Sequence, residues 1–421
     1  MKISPQTTQR LKTAWQRLPA EQRARYEPWL LKAHQHAVQV MRQPGTSRRP
    51  ETPPEFALAY GILHDKLHEI SDATSGSPDV TVGPDGMISG TGQFQHLDPR
   101  WADLNAALME YEAAGALVPF QTQPQTLPLP EETRIALLGD WGTGDWGASP
   151  APAIQVASAV RKLNPDYAVH LGDVYYMGSD GTLEWPTYEM DNLLAPWPGN
   201  PARSFALQGN HEMYAQGTGY FHHALGLALP PGRETPFTAQ KGTSYFALVN
   251  SHWVIVGLDT AYAATNFYTE GNLNAPQLEF LAQVTSSNPG KKVLLLSHHN
   301  PLSEDGTQQL PLFSQVLGVL PSGVTAYWYW GHLHLGIVYK PVRTSNNITI
   351  HPRCAGHGGM PWGIASELRD ASAIDWFESR LTKDATASDY PVRNGFALLE
   401  LRGADLHETF YDQYGEVSYQ G

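Results

Sequence analysis

The chain has 421 residues, a single cysteine (Cys354) and a formal net charge of −13. That length allows two or three domains, or one large domain with an appendage, and the lone cysteine excludes an internal disulfide and a Cys-rich zinc site. No uncharged apolar run reaches the roughly 18 residues of a spanning helix. The start, MKISPQTTQRLKTAWQRLP, also lacks the apolar core of a signal peptide. A soluble, cytoplasmic protein with no membrane partner is therefore expected; a trimmed leader would instead make it periplasmic or secreted.

The charge is uneven. Residues 1–50 carry ten Lys or Arg against Glu21 and Glu27, so the rest of the chain holds the acidic excess. An acidic body argues against nucleic acid as a partner. The basic start reads as a solvated helical face, with an anionic partner as the alternative. Oligomeric state is not legible.

In chain order, Ala20–Met41 and Glu55–Ile70 are predicted helices, with Trp29, Ala33 and Val40 at helical spacing. Residues 75–92 are rich in Gly, Ser and Asp and predict turns, with a hairpin at Pro84-Asp85-Gly86. Asp98 is placed to cap a helix running to about Ala114. The polar, proline-rich stretch at 121–132 predicts a linker, dividing a mainly helical accessory domain (1–125) from a second domain (126–421). The chain then alternates. Ile135–Leu138, Tyr167–Leu171 and Ser204–Leu207 are predicted strands, and Ala151–Leu163 and Tyr188–Leu194 are predicted helices. Strands follow at Ser244–Val249, Trp253–Leu258, Val293–Leu296, Tyr327–Trp330 and Phe396–Leu401. This is an α/β pattern whose surplus of strands suggests two sheets face to face with helices outside. Residues 365–392 read as an insertion, a loop or helical excursion.

Five of the strand ends carry metal-ligand residues: IALLGDWG (Asp140), VHLGDVYY (Asp173, Tyr176), FALQGNHE (Asn210, His211), VLLLSHHN (His298) and YWYWGHLH (His332, His334). Glycine beside the ligand lets the backbone turn sharply at a strand end. Carboxylate, amide, phenol and imidazole are the hard and borderline donors that a hydrolytic metal site uses. A Gly-Asp pair alone is most often a turn; five such blocks in series carry the argument. In an extended segment, His332 and His334 would face the same side. No Gly-rich phosphate loop and no Gly-x-Ser-x-Gly elbow occurs, so a serine hydrolase is not expected.

The order GD-x-G, GD-xx-Y, GNH-E, strand-His and GH-x-H resembles the calcineurin-like metallophosphoesterase superfamily, over about residues 133–360, and its purple acid phosphatase branch in particular. Gly142 stands where many members of the superfamily carry a histidine, and Tyr176 follows Asp173 by three. The resemblance implies a four-layer α/β/β/α sandwich with the N-terminal helical domain outside it. It implies two metal ions, Fe(III) plus Fe(II), Zn(II) or Mn(II). Asp140, Tyr176 and His334 would hold the first, Asp173 would bridge, and Asn210, His298 and His332 would complete the second. Tyr175 is the competing phenol, expected to face the other way on an extended strand. His299 competes with His298. His211 is in the position of a general acid or phosphate-stabilising group, and Glu212 would orient its neighbour.

The expected reaction is hydrolysis of a small phosphoester, a phosphomonoester first, by a metal-bound hydroxide. A phosphodiesterase acting on nucleotides, glycerophosphodiesters or nucleic acid is the alternative; a non-catalytic metal-binding partner module is a third. Relatives place a further histidine after the fourth block, where this chain has Ser303, Glu304 and Asp305. His357 and His299 are the candidate substrate-binding replacements, with His222 and His223 behind them. The tryptophans near the blocks (Trp141, Trp146, Trp185, Trp328, Trp330, Trp362) read mainly as core and wall packing.

Overall fold

The computed structural model describes residues 3–42, 54–74, 80–82, 88–90, 93–94, 97–145, 151–200, 203–360, 366–382 and 392–421. The Pro84-Asp85-Gly86 turn, Trp146 and Trp362 lie outside the described residues, as does part of the 365–392 segment.

Among the described residues, the N-terminal part is built on five α-helices. They are α1 (Pro5–Arg17), α2 (Ala20–Arg42), α3 (Ala57–Leu63), α4 (Leu67–Thr74) and, after the short antiparallel strands β1 (Val80–Val82) and β2 (Ile88–Gly90), α5 (Arg100–Ala113). Ser4 caps α1 by accepting from the Thr7 amide at 2.9 Å. The predicted helix over 55–70 is broken at residues 64–66, with Asp65 at φ +55°. Some of the basic charge is internal pairing: Arg10 makes a two-point contact with Glu110 (3.0 and 2.8 Å) and lies 4.0 Å over the Trp185 ring. Lys12 meets Asp65 at 2.7 Å.

The rest runs β3 (Gln125–Pro128), β4 (Glu132–Leu138), α6 (Pro152–Leu163), β5 (Tyr167–His170), β6 (Ser204–Ala206), α7 (Asn210–Tyr214), β7 (Phe246–Val249) and β8 (Trp253–Gly257). It continues through α8 (Ala275–Ser286), β9 (Lys292–Ser297), α9 (Pro311–Leu317), β10 (Thr325–Trp330), β11 (Gly336–Tyr339), β12 (Val342–Arg343) and β13 (Thr349–Ala355). It ends with β14 (Ile374–Phe377), β15 (Gly395–Arg402), β16 (Asp405–Asp412) and β17 (Val417–Gln420). One sheet has the order β17-β16-β15-β4-β5-β6; the other is β14-β11-β13-β10-β9-β8-β7-β3, with β12 on β13.

Two-residue alternation sorts the side chains into layers. On β4, Ile135 and Leu137 point into the core between the sheets, while Ala136 and Leu138 face the layer that holds α6. On β9, Leu294 and Leu296 join the inter-sheet core, and Val293 and Leu295 face α8 and α9. The result is the α/β/β/α sandwich, with a separate apolar cluster uniting the N-terminal helices. Two further segments differ from expectation. The proline-rich stretch at 121–132 contains β3, which pairs in parallel with β7 at the edge of the large sheet. Within 365–392, β14 pairs with β11 and belongs to that sheet too. Edge strands of mixed composition carry a weak alternation signal, because only one flank is packed.

Candidate metal centre

The strands that precede the five blocks are parallel neighbours: β4, β5 and β6 in one sheet, β9 and β10 in the other. Their carboxyl ends therefore open on one side, where sites form in such sheets. The two edges touch there. The Gly139 amide donates to the Ala355 carbonyl across the sheets (3.1 Å), while within the large sheet the Gly331 amide donates to the His298 carbonyl (3.0 Å). A Cβ at Gly331 would sit 2.6 Å from Asp140 Oδ2, so a larger residue there would displace that carboxylate. Asp140, Asp173, His332 and His334 all have positive φ (+53°, +77°, +66° and +54°). For non-glycine residues such a conformation costs about 1–3 kcal/mol and clusters at functional sites. It is held here by local bonds such as the Asp140 amide to the Gly172 carbonyl (3.0 Å) and the His332 amide to Asp140 Oδ2 (2.7 Å).

The side chains form two groups that share Asp173. In the first, the Tyr175 hydroxyl lies 3.1 Å from Asp140 Oδ1, 2.9 Å from Asp173 Oδ2 and 2.8 Å from His334 Nε2. His334 Nε2 is 3.3 Å from Asp140 Oδ1. In the second, Asn210 Oδ1 is 3.0 Å from both His298 Nε2 and His332 Nδ1. His298 Nε2 is 3.4 Å from Asp173 Oδ1. One oxygen of Asp173 thus faces each group.

The donor set fits a cation. His298 Nδ1 donates to the Leu171 carbonyl at 2.9 Å, which leaves Nε2, 3.0 Å from the Asn210 oxygen, as the nitrogen that can offer a lone pair to a cation. Asp140 and Asp173 are 0 % and 1 % exposed, and among the described residues no lysine or arginine pairs with either. Burial and the neighbouring Asp173 push the Asp140 carboxyl well above its ordinary range. Burial opposes the Asp173 anion as well, but His298, His211 and His332 hold that group below the usual range. Converging lone pairs and paired buried carboxylates are costly unless a positive charge joins them.

Tyr176 lies outside both groups. Its hydroxyl donates to Asp98 Oδ2 at 2.5 Å, and its ring packs on Phe94 and Trp101. The resemblance placed Tyr176 with Asp140, and strand alternation turned Tyr175 away. β5 ends at His170, and Asp173 turns the chain into the left-handed region, so alternation no longer applies at 175 and 176. The same holds for His332 and His334. They converge on the site from positive-φ positions, not from one face of a strand.

His299 also differs from its neighbour. A group of close ligand atoms does include it with His298 and His332. However, its Nε2 donates to the Tyr268 carbonyl (2.7 Å) and its Nδ1 is engaged by the Thr260 hydroxyl (2.9 Å). With both nitrogens committed to the protein and its pKa lowered to about 3 by burial, His299 is a neutral strut and not a group free to bind substrate. His357 is buried in a narrow cavity lined by His334, Met360 and Glu378, and burial lowers its pKa to about 4. It does not join the two groups. His222 Nδ1 is paired with Asp180 (2.8 Å). The Asp305 carboxylate is bound within its own turn by Ser303 and Thr307.

His211 sits beside the shared carboxylate. Its amide donates to Asp173 Oδ1 (3.0 Å), its Nδ1 donates to the Tyr176 carbonyl (2.7 Å), and its Nε2 lies 3.9 Å from Asp173 Oδ2. Glu212 Oε2 accepts from the Asp173 and Gly209 amides (3.1 and 2.8 Å), tying the second and third blocks together. The N-terminal part contributes as well: Glu55, Asp98 and Trp101 all reach this side of the site, though no pattern in the sequence ties them to the five blocks.

A model of the calcineurin-like phosphoesterase family matches residues 133–336. Those residues are a calcineurin-like phosphoesterase domain. No curated protein sequence matches the chain. Similar solved structures include the Plasmodium inner-membrane-complex anchor GAP50 (16% identity, 69% of this chain and 88% of that one, TM-score 0.45). A purple acid phosphatase from yellow lupin shares 14% identity over 70% of this chain and 54% of its own, with a TM-score of 0.42. A predicted phosphoesterase from Streptococcus pneumoniae shares 12% over 69% and 96%, with a TM-score of 0.27. None of the three is similar enough to decide an activity. Measured against the phosphoesterase domain, all five blocks lie inside the matched segment, whereas Glu55, Asp98 and Trp101 lie before it.

Proposed function

We propose that the chain hydrolyses small phosphoesters, phosphomonoesters first, at a centre of two cations. The observation that carries this is the shared Asp173 carboxylate, with one oxygen turned to each donor group. Asp140, Tyr175 and His334 would hold one cation, Asn210, His298 and His332 the other, and Asp173 both. Tyr175 takes the place first given to Tyr176. Phenol and carboxylates suit a hard trivalent ion such as Fe(III); amide and imidazoles suit Fe(II), Zn(II) or Mn(II). Gly142 supports a site of the purple acid phosphatase type. A Cβ there would lie 2.7 Å from the Asp173 carbonyl oxygen, so no histidine fits that position without displacing backbone.

When bound, the cations supply Lewis-acid stabilisation of the phosphoryl charge and a nucleophile from water near neutral pH. The chain's own groups do the rest. The Tyr176 carbonyl holds the hydrogen on His211 Nδ1, which leaves Nε2 as the atom that can pass a proton to the leaving alkoxide. Glu212 fixes the Asp173 and Gly209 amides and so the spacing of two blocks. Trp101 and Glu55 wall the His211 side, which favours a small substrate over a polymer.

Metal-loaded protein should therefore turn over p-nitrophenyl phosphate faster than bis-p-nitrophenyl phosphate. A large preference for the diester would replace this reading with a phosphodiesterase. No turnover of either ester, with both cations bound, would leave a non-catalytic metal-binding module.

A further inference from the structure

Glu55 lies in the short turn Pro54–Phe56 that leads into α3, about eighty residues before the phosphoesterase domain begins. It is held from the N-terminal side: Asn105 Nδ2 donates to its backbone carbonyl (3.0 Å), and Phe56 next to it packs edge-on against Tyr214 at 5.6 Å. Its side chain is 12 % exposed and reaches the floor of the site. Tyr214, at the end of α7, donates its hydroxyl hydrogen to Glu55 Oε1 (3.3 Å). The same hydroxyl oxygen accepts from Asn210 Nδ2 (3.0 Å).

An asparagine amide can bind a cation only through its oxygen, and either end can face inward unless something fixes it. Tyr214 offers both a donor and an acceptor. If its hydrogen goes to a carboxylate, which can only accept, its oxygen is left to accept from the amide NH2. Asn210 must then present Oδ1 to His298 and His332, as observed at 3.0 Å from each.

We propose that Glu55 is a positioning residue of the metal centre, acting through Tyr214 to fix the Asn210 amide. The inference rests on the metal-centre reading above. It makes the N-terminal helical part a component of the second donor group and not only a cover. Orientation of a ligand by hydrogen bonds behind it typically changes metal affinity by about 10–100-fold.

The test is calorimetric titration of metal-free protein with Mn(II), alongside thermal midpoints of the metal-free variants. Tyr214→Phe and Glu55→Ala should each weaken Mn(II) binding at the second donor group by about 10-fold or more. Glu55→Gln keeps an oxygen able to accept from Tyr214, though its amide can also turn, and should lose clearly less affinity than Glu55→Ala. That rescue separates positioning from a general loss of packing. Tyr214→Phe removes a single hydroxyl and so carries the test even if Glu55→Ala fails to fold. Wild-type affinity in Tyr214→Phe and Glu55→Ala would overturn the inference, as would equal losses in Glu55→Ala and Glu55→Gln. Wild-type protein that binds no Mn(II) would instead overturn the metal-centre reading, and this inference with it.

Discussion

Asp173→Asn should lose both bound cations and lower phosphoester turnover by about 10³-fold or more. Asp173 turns one carboxylate oxygen to each donor group, so its substitution disturbs both at once. Charge stabilisation by bound cations is worth several kcal/mol in a transition state, and each 1.36 kcal/mol is tenfold in rate. The substitution is nearly isosteric and keeps one oxygen able to accept from the His211 amide, so the fold should persist. A second readout is stability. Cations that bind only the folded chain raise its stability by RT ln(1 + [L]/Kd), about 4 kcal/mol at a thousand times Kd. Thermal midpoints measured with and without Mn(II) should differ in the wild type and coincide in Asp173→Asn. A variant that keeps the shift would show that this carboxylate does not join the two groups.

The next largest effect should come from His211→Ala. It should lower kcat by about 10²–10⁴-fold, the usual range for a positioned general acid, while metal content stays at the wild-type level. The separation follows from the geometry: His211 lies beside the shared carboxylate through its amide, and its imidazole points past it, with Nε2 3.9 Å from Asp173 Oδ2. The loss should be greater for an alkyl phosphate than for p-nitrophenyl phosphate, because the alkoxide is the poorer leaving group and needs the proton more. Equal losses on both esters would move His211 from proton transfer to phosphate binding. Loss of metal would make it part of the donor set.

Much of the site was legible because its signal is local. Asp140, Asp173, Asn210, His298, His332 and His334 each stand at or just beyond the end of a short apolar run, most beside a glycine, and strand ends in parallel sheets gather on one side. The layers were legible for the same reason, as on β4 and β9, where alternating residues divide between two cores. What failed were the inferences that carried a strand's period beyond the strand. Tyr175, and not Tyr176, stands beside Asp140 and His334 because the chain turns at Asp173, and positive φ at a non-glycine residue has no clear sequence signature. His298 and His299 are equivalent in sequence; the Leu171, Thr260 and Tyr268 partners that separate them come from distant segments. Glu55, Asp98 and Trp101 were illegible for that reason too. Each lies far from the blocks in sequence, on elements whose own pattern is that of an ordinary helical domain.

The proposed centre holds two cations, with Tyr175 among the donors. Elemental analysis and a visible spectrum of iron-reconstituted protein test it most directly, on wild type, Tyr175→Phe and Tyr176→Phe. Two metal ions per chain are expected in the wild type and in Tyr176→Phe, with a ferric–phenolate band that survives in Tyr176→Phe and disappears in Tyr175→Phe. One metal ion or none per chain in the wild type, or a band that survives Tyr175→Phe, would rule out a two-cation centre with Tyr175 as a ligand.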